Sequence, residues 1–312
     1  MPNPSGSERP GEVEARTALF AKVYAHMGYF ALNVGAHELA VGLGPLKKFA
    51  KDAKLQLISA NLRDNKSGEA AFAPYIVRQV GPLKVGILGL TAQPLDLDKL
   101  VLQQGLKFQD PVAAARQIVP ELRKQGVDAV VLLSQLRRTD IEAVANQVPG
   151  IDLVLGSMDA ELTMQPVTVG KQTLFVDAFT KGKYLTELTI SVRGNRSRLY
   201  PARLREALMA ERSEAANQVQ TLAGQLESAG AANSPLRLSD ETRKIMESQL
   251  AAARARQQRL TIQLEGTEPQ LPPDASTLDL QAGALAQDVK DDATVDAWVK
   301  KHQQKFPKLG GH

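Results

Sequence analysis

The chain has no cysteine, which excludes disulfides, thiolate zinc sites, covalent haem attachment and a cysteine nucleophile, and leaves the redox compartment open. Long apolar runs are missing too. The longest, Val85–Leu90 and Ala129–Leu133, fall far short of the roughly 20 residues that cross a bilayer as a helix. The opening residues show no charged start followed by an apolar stretch, so no membrane span or secretion signal is expected from the sequence as it stands. Neither sign of charge dominates, with a net charge of +4 over 312 residues. The densest basic cluster, Arg193, Arg196, Arg198, Arg203 and Arg205, has only Tyr200 as an aromatic companion. It reads as a solvated approach to a helix, and no nucleic-acid partner is expected. What the chain does have is 43% hydrophobic content, enough for one large core or two modest ones, and that excludes disorder throughout.

Pattern divides the chain. Residues 1–12, rich in Pro, Gly and Ser, read as a disordered lead. Apolar residues at three-to-four spacing predict a helix over Glu12–Met27, and Tyr29–Val34 and Leu55–Ser59 read as strands either side of a helix over Leu43–Ala53. Tyr75–Val80 and Lys84–Leu90, joined at Gly81-Pro82, predict a hairpin. Asp110 followed by Pro111 marks the start of a helix to about Gln125. The strand Ala129–Ser134, a helix from Thr139-Asp140 to Gln147 and the strand Ile151–Leu155 then repeat the cycle, before strands at Val167–Val169, Thr173–Val176 and Leu185–Val192. This alternation predicts a layered α/β domain over residues 13–194.

The next stretch changes period. Leu208, Ala215 and Leu222, and Met246, Ala253 and Leu260, recur every seven residues, predicting an antiparallel helical hairpin over residues 201–264 with Gly230 and Pro235 as breakers. Those stripes read first as packing between the two helices, and alternatively as a coiled coil for a protein partner. Residues 274–312 read as a weakly alternating strand, a helix over Ala293–Phe306 that carries the single tryptophan, Trp298, and a tail leading towards a further domain.

The segment Met27-Gly28-Tyr29-Phe30-Ala31-Leu32-Asn33-Val34-Gly35-Ala36-His37-Glu38-Leu39-Ala40-Val41-Gly42 is the most informative part of the chain. With Ser59-Ala60-Asn61-Leu62 and Val85–Thr91, it resembles the 5′-nucleotidase branch of the calcineurin-like metallophosphoesterases, whose strand leads into Gly-Asn-His-Glu-Phe-Asp-x-Gly. The resemblance runs from Ala21 to about Val192 and is nearest to a divergent UshA-like branch with eroded motifs and a long helical insert. It implies an α/β/β/α metallophosphatase-like sandwich followed by the helical hairpin. It also implies a pair of divalent metals, Mn, Zn or Mg, that turn a bridging water into a nucleophile.

Carried over residue by residue, the resemblance makes His37 the catalytic histidine and puts Ala36 where the family keeps a metal-ligating asparagine. Gln135, in Leu133-Ser134-Gln135-Leu136-Arg137, stands at a histidine ligand's place, and Met158 and Ala160, in Gly156-Ser157-Met158-Asp159-Ala160, replace two more histidines. Neither a thioether nor a methyl holds a hard dication. The family's opening Asp-x-His strand and Gly-Asp loop have no counterpart, since the first aspartate is Asp52. The sandwich is therefore expected to lack its first strand or strands, as an N-terminally truncated member would.

His37 also reads as an ordinary polar residue at a strand end, and Glu38 as a brace for its loop. Asp152 and Asp159 are either solvated loop positions or oxygen ligands for a single Mg²⁺ or Ca²⁺. His302 and His312 would bind metal only adventitiously, and the sequons at Asn65 and Asn195 mean little without eukaryotic secretion. The functional expectation is a catalytically degenerate scaffold or binding module that holds no metal, with the hairpin as its contact element. The alternative is an active phosphomonoesterase acting on nucleotides or other phosphoesters. By resemblance the compartment is the periplasm or another exported location, and the cytoplasm if Met1 is the true start.

Overall fold

The structure, a computed structural model, describes residues 11–93, 98–158, 163–177, 182–230, 239–267, 271–285 and 289–307. The expectations for most of the lead, for Asp159 and Ala160, for the link between the long helices and for the tail with His312 lie outside those residues.

In chain order, α1 (Glu12–His26), β1 (Ala31–Asn33), α2 (Ala36–Ala40), α3 (Leu43–Ala53), β2 (Gln56–Ile58) and β3 (Leu62–Asp64) come first. The hairpin β4 (Tyr75–Val80) and β5 (Leu83–Thr91) is followed by α4 (Asp98–Gln103), β6 (Leu106–Phe108), α5 (Pro111–Lys124), β7 (Ala129–Gln135), α6 (Arg138–Gln147) and β8 (Leu153–Gly156). Then come β9 (Val167–Val169), β10 (Thr173–Asp177), β11 (Tyr184–Ser191), β12 (Asn195–Pro201), α7 (Leu204–Gly230), α8 (Asp240–Glu265), β13 (Ala275–Ala284) and α9 (Ala293–Lys305).

Six strands in the order β4-β5-β7-β8-β10-β9 make the main sheet. β5, β7, β8 and β10 run parallel, with β4 and β9 antiparallel at the edges. β5 and β7 are almost wholly buried, as strands covered on both faces must be. One cover is α5, which turns Ala114, Ala115, Ile118, Val119 and Leu122 inward at helical spacing, and Ile141 and Val144 of α6 join the same core. The helix α5 starts where Asp110 and Pro111 predict, and the Asp110 carboxylate accepts the Ala113 N–H at 2.8 Å.

β1 and β2 form a parallel pair, and β3 and β6 an antiparallel one. Around them Val34, Leu39, Leu46, Leu62, Val101 and Leu106 make a second core, while Ala21, Phe49, Ala50, Ala53 and Leu55 join α1 to α3. The C-terminal helix α9 returns to α1, where Trp298 meets His26 edge-on with ring centroids 5.6 Å apart. There His26 Nε2 lies 3.2 Å from an Asp292 carboxylate oxygen.

The chain divides into two compact units, one holding the sequence up to Leu188 with Arg196–Leu199 and the stretch from Leu280, the other Thr189–Asn195 and Tyr200–Asp279. β11, β13 and β12 form a three-stranded sheet in that order of pairing, with β13 central. In the second unit α7 and α8 form the expected pair. Leu250, Ala253, Leu260 and Leu264 of α8 and Leu208 and Ala215 of α7 are buried. The seven-residue stripes are thus the seam of the hairpin itself.

Two expectations change. Residues 195–201 are strand, because β13 supplies the ladder partner from far along the chain. The arginine cluster is not simply solvated either: Arg203 pairs with Asp279, and Arg205 donates to the Leu264 and Thr267 carbonyls at the end of α8. The short elements α2, β3, α4 and β6 carry too few residues for a period to register.

Candidate active site

Parallel strands bring their carboxyl ends to one edge, and loops at that edge are where α/β sheets place their sites. β1 ends at Asn33, β2 at Ile58, β5 at Thr91, β7 at Gln135 and β8 at Gly156. β5, β7 and β8 share one sheet, and the separate β1–β2 pair is tied to it by the Asn33 bond to the Leu90 carbonyl and the Ala60 N–H bond to the Gly89 carbonyl.

The corner after β1 is closed from β7. The Ala36 N–H donates to Gln135 Oε1 at 2.8 Å. A Cβ at Gly35 would lie 2.3 Å from that same oxygen, so only glycine lets the Gln135 carboxamide sit there. Two of the inferred ligand positions, Ala36 and Gln135, are brought together and are bonded to each other. Glu38, the third residue of α2, accepts the Gly35 N–H at 3.1 Å, the bracing role read for it from the sequence. Its charge also helps to raise the Tyr24 hydroxyl, which is raised first by burial and then by Tyr29. His37 is exposed on α2 and makes no hydrogen bond or ion pair among the described residues.

At the next loop Ser157 Oγ donates to the Ser134 carbonyl at 3.1 Å, tying the ends of β7 and β8 together. Met158 beyond it is exposed. Asp152 stands at the opposite end of β8. It is buried and accepts from Arg123 Nη2 at 2.5 Å and the Val130 N–H at 2.6 Å. Burial pushes its carboxyl up, against the pull of Arg123 and of that N–H. Both bonds fall on Oδ2, which serves the fold. His302 packs its ring against Phe306 on α9, with centroids 5.2 Å apart.

Three residues do work here that the sequence reading did not assign. Asn33 Nδ2 donates to the Leu90 carbonyl at 2.9 Å and to Thr91 Oγ1 at 3.3 Å. Thr91 Oγ1 donates to the Val34 carbonyl at 2.7 Å. Asn61, fully buried, accepts the Thr91 N–H at 3.0 Å and donates to the Thr91 carbonyl at 2.8 Å, so its carboxamide imitates a strand partner. These bonds hold the motif corner against β5.

The donor set does not fit a pair of divalent cations. Ala36 offers a methyl, Met158 a thioether, and Gln135 a neutral carboxamide already engaged. Among the described residues no three His, Cys, Asp or Glu side chains gather where they could hold a metal.

No family model matches the chain. A 2′,3′-cyclic-nucleotide 2′-phosphodiesterase/3′-nucleotidase of Yersinia enterocolitica is 32% identical over 148 residues, 41% of this chain and 23% of that protein. Part of this chain is distantly homologous to nucleotidases of this kind. It spans under a quarter of the length of that curated relative. Among solved structures, a 5′-nucleotidase precursor from Thermus thermophilus is 26% identical with a TM-score of 0.52, covering 61% of this chain and 41% of its own. The NAD nucleotidase of Haemophilus influenzae shares the fold over 92% of this chain and 53% of its own, at 16% identity and a TM-score of 0.55. The mixed sheet and long helix pair are those of metallophosphatase-like structures. Among the described residues no helix is long and apolar enough to cross a membrane.

Proposed function

We propose that this chain is a nucleotidase-like scaffold whose metal chemistry is gone, kept as a binding or assembly module in an exported compartment, with residues 201–264 as its contact element. One observation carries the reading. At the motif corner the Gln135 carboxamide, in a ligand's position, is spent on the Ala36 N–H, while the nearby carboxylate of Glu38 is turned to the Gly35 N–H. A dinuclear site needs anionic or imidazole ligands that gather both ions around one water, and a hydrogen-bonded amide corner supplies none.

The purified chain should carry no stoichiometric Mn, Zn or Fe by elemental analysis and should leave AMP and p-nitrophenyl phosphate intact with each metal added. Near two equivalents of metal per chain, with turnover lost on His37→Ala, would instead establish the active phosphomonoesterase. The exposed imidazole of His37 is the feature that favours this second reading.

A further inference from the structure

Away from the motif corner, the outer face of the β3–β6 ladder and the flank of α5 enclose an open cleft of about 450 Å³, lined by Arg63, Gly68, Lys107, Phe108, Gln109 and Gln117. Its size falls within the range of small-molecule sites. Its chemistry has one sign.

Arg63 and Lys107 are direct cross-strand partners. Directly opposed side chains on one face stand about 5 Å apart at Cβ, where like charges destabilise a ladder. Nothing among the described residues neutralises this pair: neither residue forms an ion pair. The neighbouring Asp64 points to the other face by strand alternation. Its carboxylate is committed to its own turn, accepting the Ser67 and Lys66 N–H groups at 2.8 and 2.9 Å, which in that order hold it below the usual carboxylate range.

The two carboxamides complete the pattern. Gln109 Oε1 accepts from Arg63 Nε at 2.7 Å and Gln117 Oε1 from Arg63 Nη2 at 3.3 Å. A guanidinium can only donate, so both amides are fixed with oxygen towards Arg63 and their Nε2 hydrogens left to donate elsewhere. The polar side chains of the wall are then a guanidinium of fixed orientation, an ammonium and two amide N–H₂ groups, with no carboxylate. Only a ligand made of acceptors, carrying negative charge, satisfies such a wall.

We propose that this cleft binds a phosphate-type oxyanion, held between Arg63 and Lys107 with Gln109 and Gln117 donating to its remaining oxygens. The anion is either free inorganic phosphate or the terminal phosphate of a small ester. This site is independent of the metal-ligand positions, so it stands or falls apart from the loss of hydrolase chemistry.

The test is a titration of the ¹⁵N-labelled chain with inorganic phosphate, and separately with glycerol 2-phosphate, against sodium chloride at matched ionic strength. Phosphate should move the side-chain amide signals of Gln109 and Gln117 saturably, and chloride should not. Binding of both ligands would identify a terminal-phosphate site, and binding of inorganic phosphate alone a site for the free anion. Arg63→Gln with Lys107→Gln should weaken binding about a hundredfold, since each of the two charge-assisted contacts is worth of order a decade in affinity. Lys107→Glu turns the cross-strand pair attractive, so it should raise the melting temperature without ligand and abolish the further rise that phosphate gives the parent chain. Equal shifts with chloride, or an unchanged phosphate affinity in either variant, would overturn the proposal.

Discussion

Gly89→Ala probes the contact that holds the motif corner in place. Gly89 lies within β5, paired with Leu133 of β7, and its carbonyl accepts the Ala60 N–H at 2.8 Å. A Cβ there would sit 2.2 Å from Asn33 Oδ1 and 3.2 Å from Ile58 Cγ1. The strand cannot withdraw, being paired on both sides, so the Asn33 side chain must move and give up its bonds to Leu90 and Thr91. Two such bonds contribute about 1 kcal/mol each, and forcing a methyl into a packed interior costs about 1–3 kcal/mol. The expected loss is about 3–5 kcal/mol, a large part of a domain's typical stability of about 5–15 kcal/mol. Urea unfolding followed by the fluorescence of Trp298 reads the unit that contains Gly89. With a slope of about 2 kcal/mol per molar, the midpoint should fall by about 2 M at unchanged slope. Asn33→Ala alone should cost about 2 kcal/mol for its two bonds. Combined with Gly89→Ala it should cost less than the two together, because removing Asn33 makes room for the methyl. A Gly89→Ala penalty under about 1 kcal/mol, or strict additivity in the cycle, would refute the reasoning.

Two further outcomes concern charge. Asp152→Ala leaves the Val130 N–H without its acceptor and Arg123 without its counter-charge, and because Arg123 is 30% exposed and keeps its bonds to the Gly150 carbonyl the loss should be about 2–4 kcal/mol, somewhat under that of a fully buried pair. Because burial raises the Asp152 carboxyl, the folded chain binds that proton more readily than the unfolded one. Its contribution is then complete below 3.8 and declines as pH rises through the raised value, a dependence that Asp152→Asn should remove from a pH series of urea midpoints. Asp292 behaves oppositely: the Val295 N–H first, and then His26, hold it below its ordinary 3.8, so its contribution is complete above that value and is lost as pH falls through the depressed one. Trp298 emission should report α9 loosening from α1 on that acid limb, and an identical limb in Asp292→Ala would rule the contact out.

Much of the fold was legible because its signals are local. The β4–β5 hairpin, the Asp110-Pro111 start of α5 and the seven-residue stripes of α7 and α8 each lie within one short window of sequence. What escaped needed partners from elsewhere. β12 becomes strand only because β13 arrives beside it, and α2 is a single turn or so set by the corner at Gly35. That Ala36 and Gln135 belong to one site was legible from the resemblance. The bond between Gln135 and Ala36 was not, since nothing in either residue's neighbours announces the other. Asn33 and Asn61 carried a usable signal, as polar residues inside apolar strand ends, where a buried carboxamide must find partners. Asp152 misled for the same reason: a carboxylate beside a strand looks alike whether it faces an ion or an arginine.

The pairing of Asn61 with both backbone groups of Thr91 separates two kinds of importance within one motif. A side chain that stands in for a stretch of main chain cannot be exchanged without opening a strand end, whatever happens at the surface above it. Positions 33, 61 and 91 hold strand ends together through bonds to the main chain. Such residues are the carpentry of the motif, and they hold the frame for any trade carried on above it.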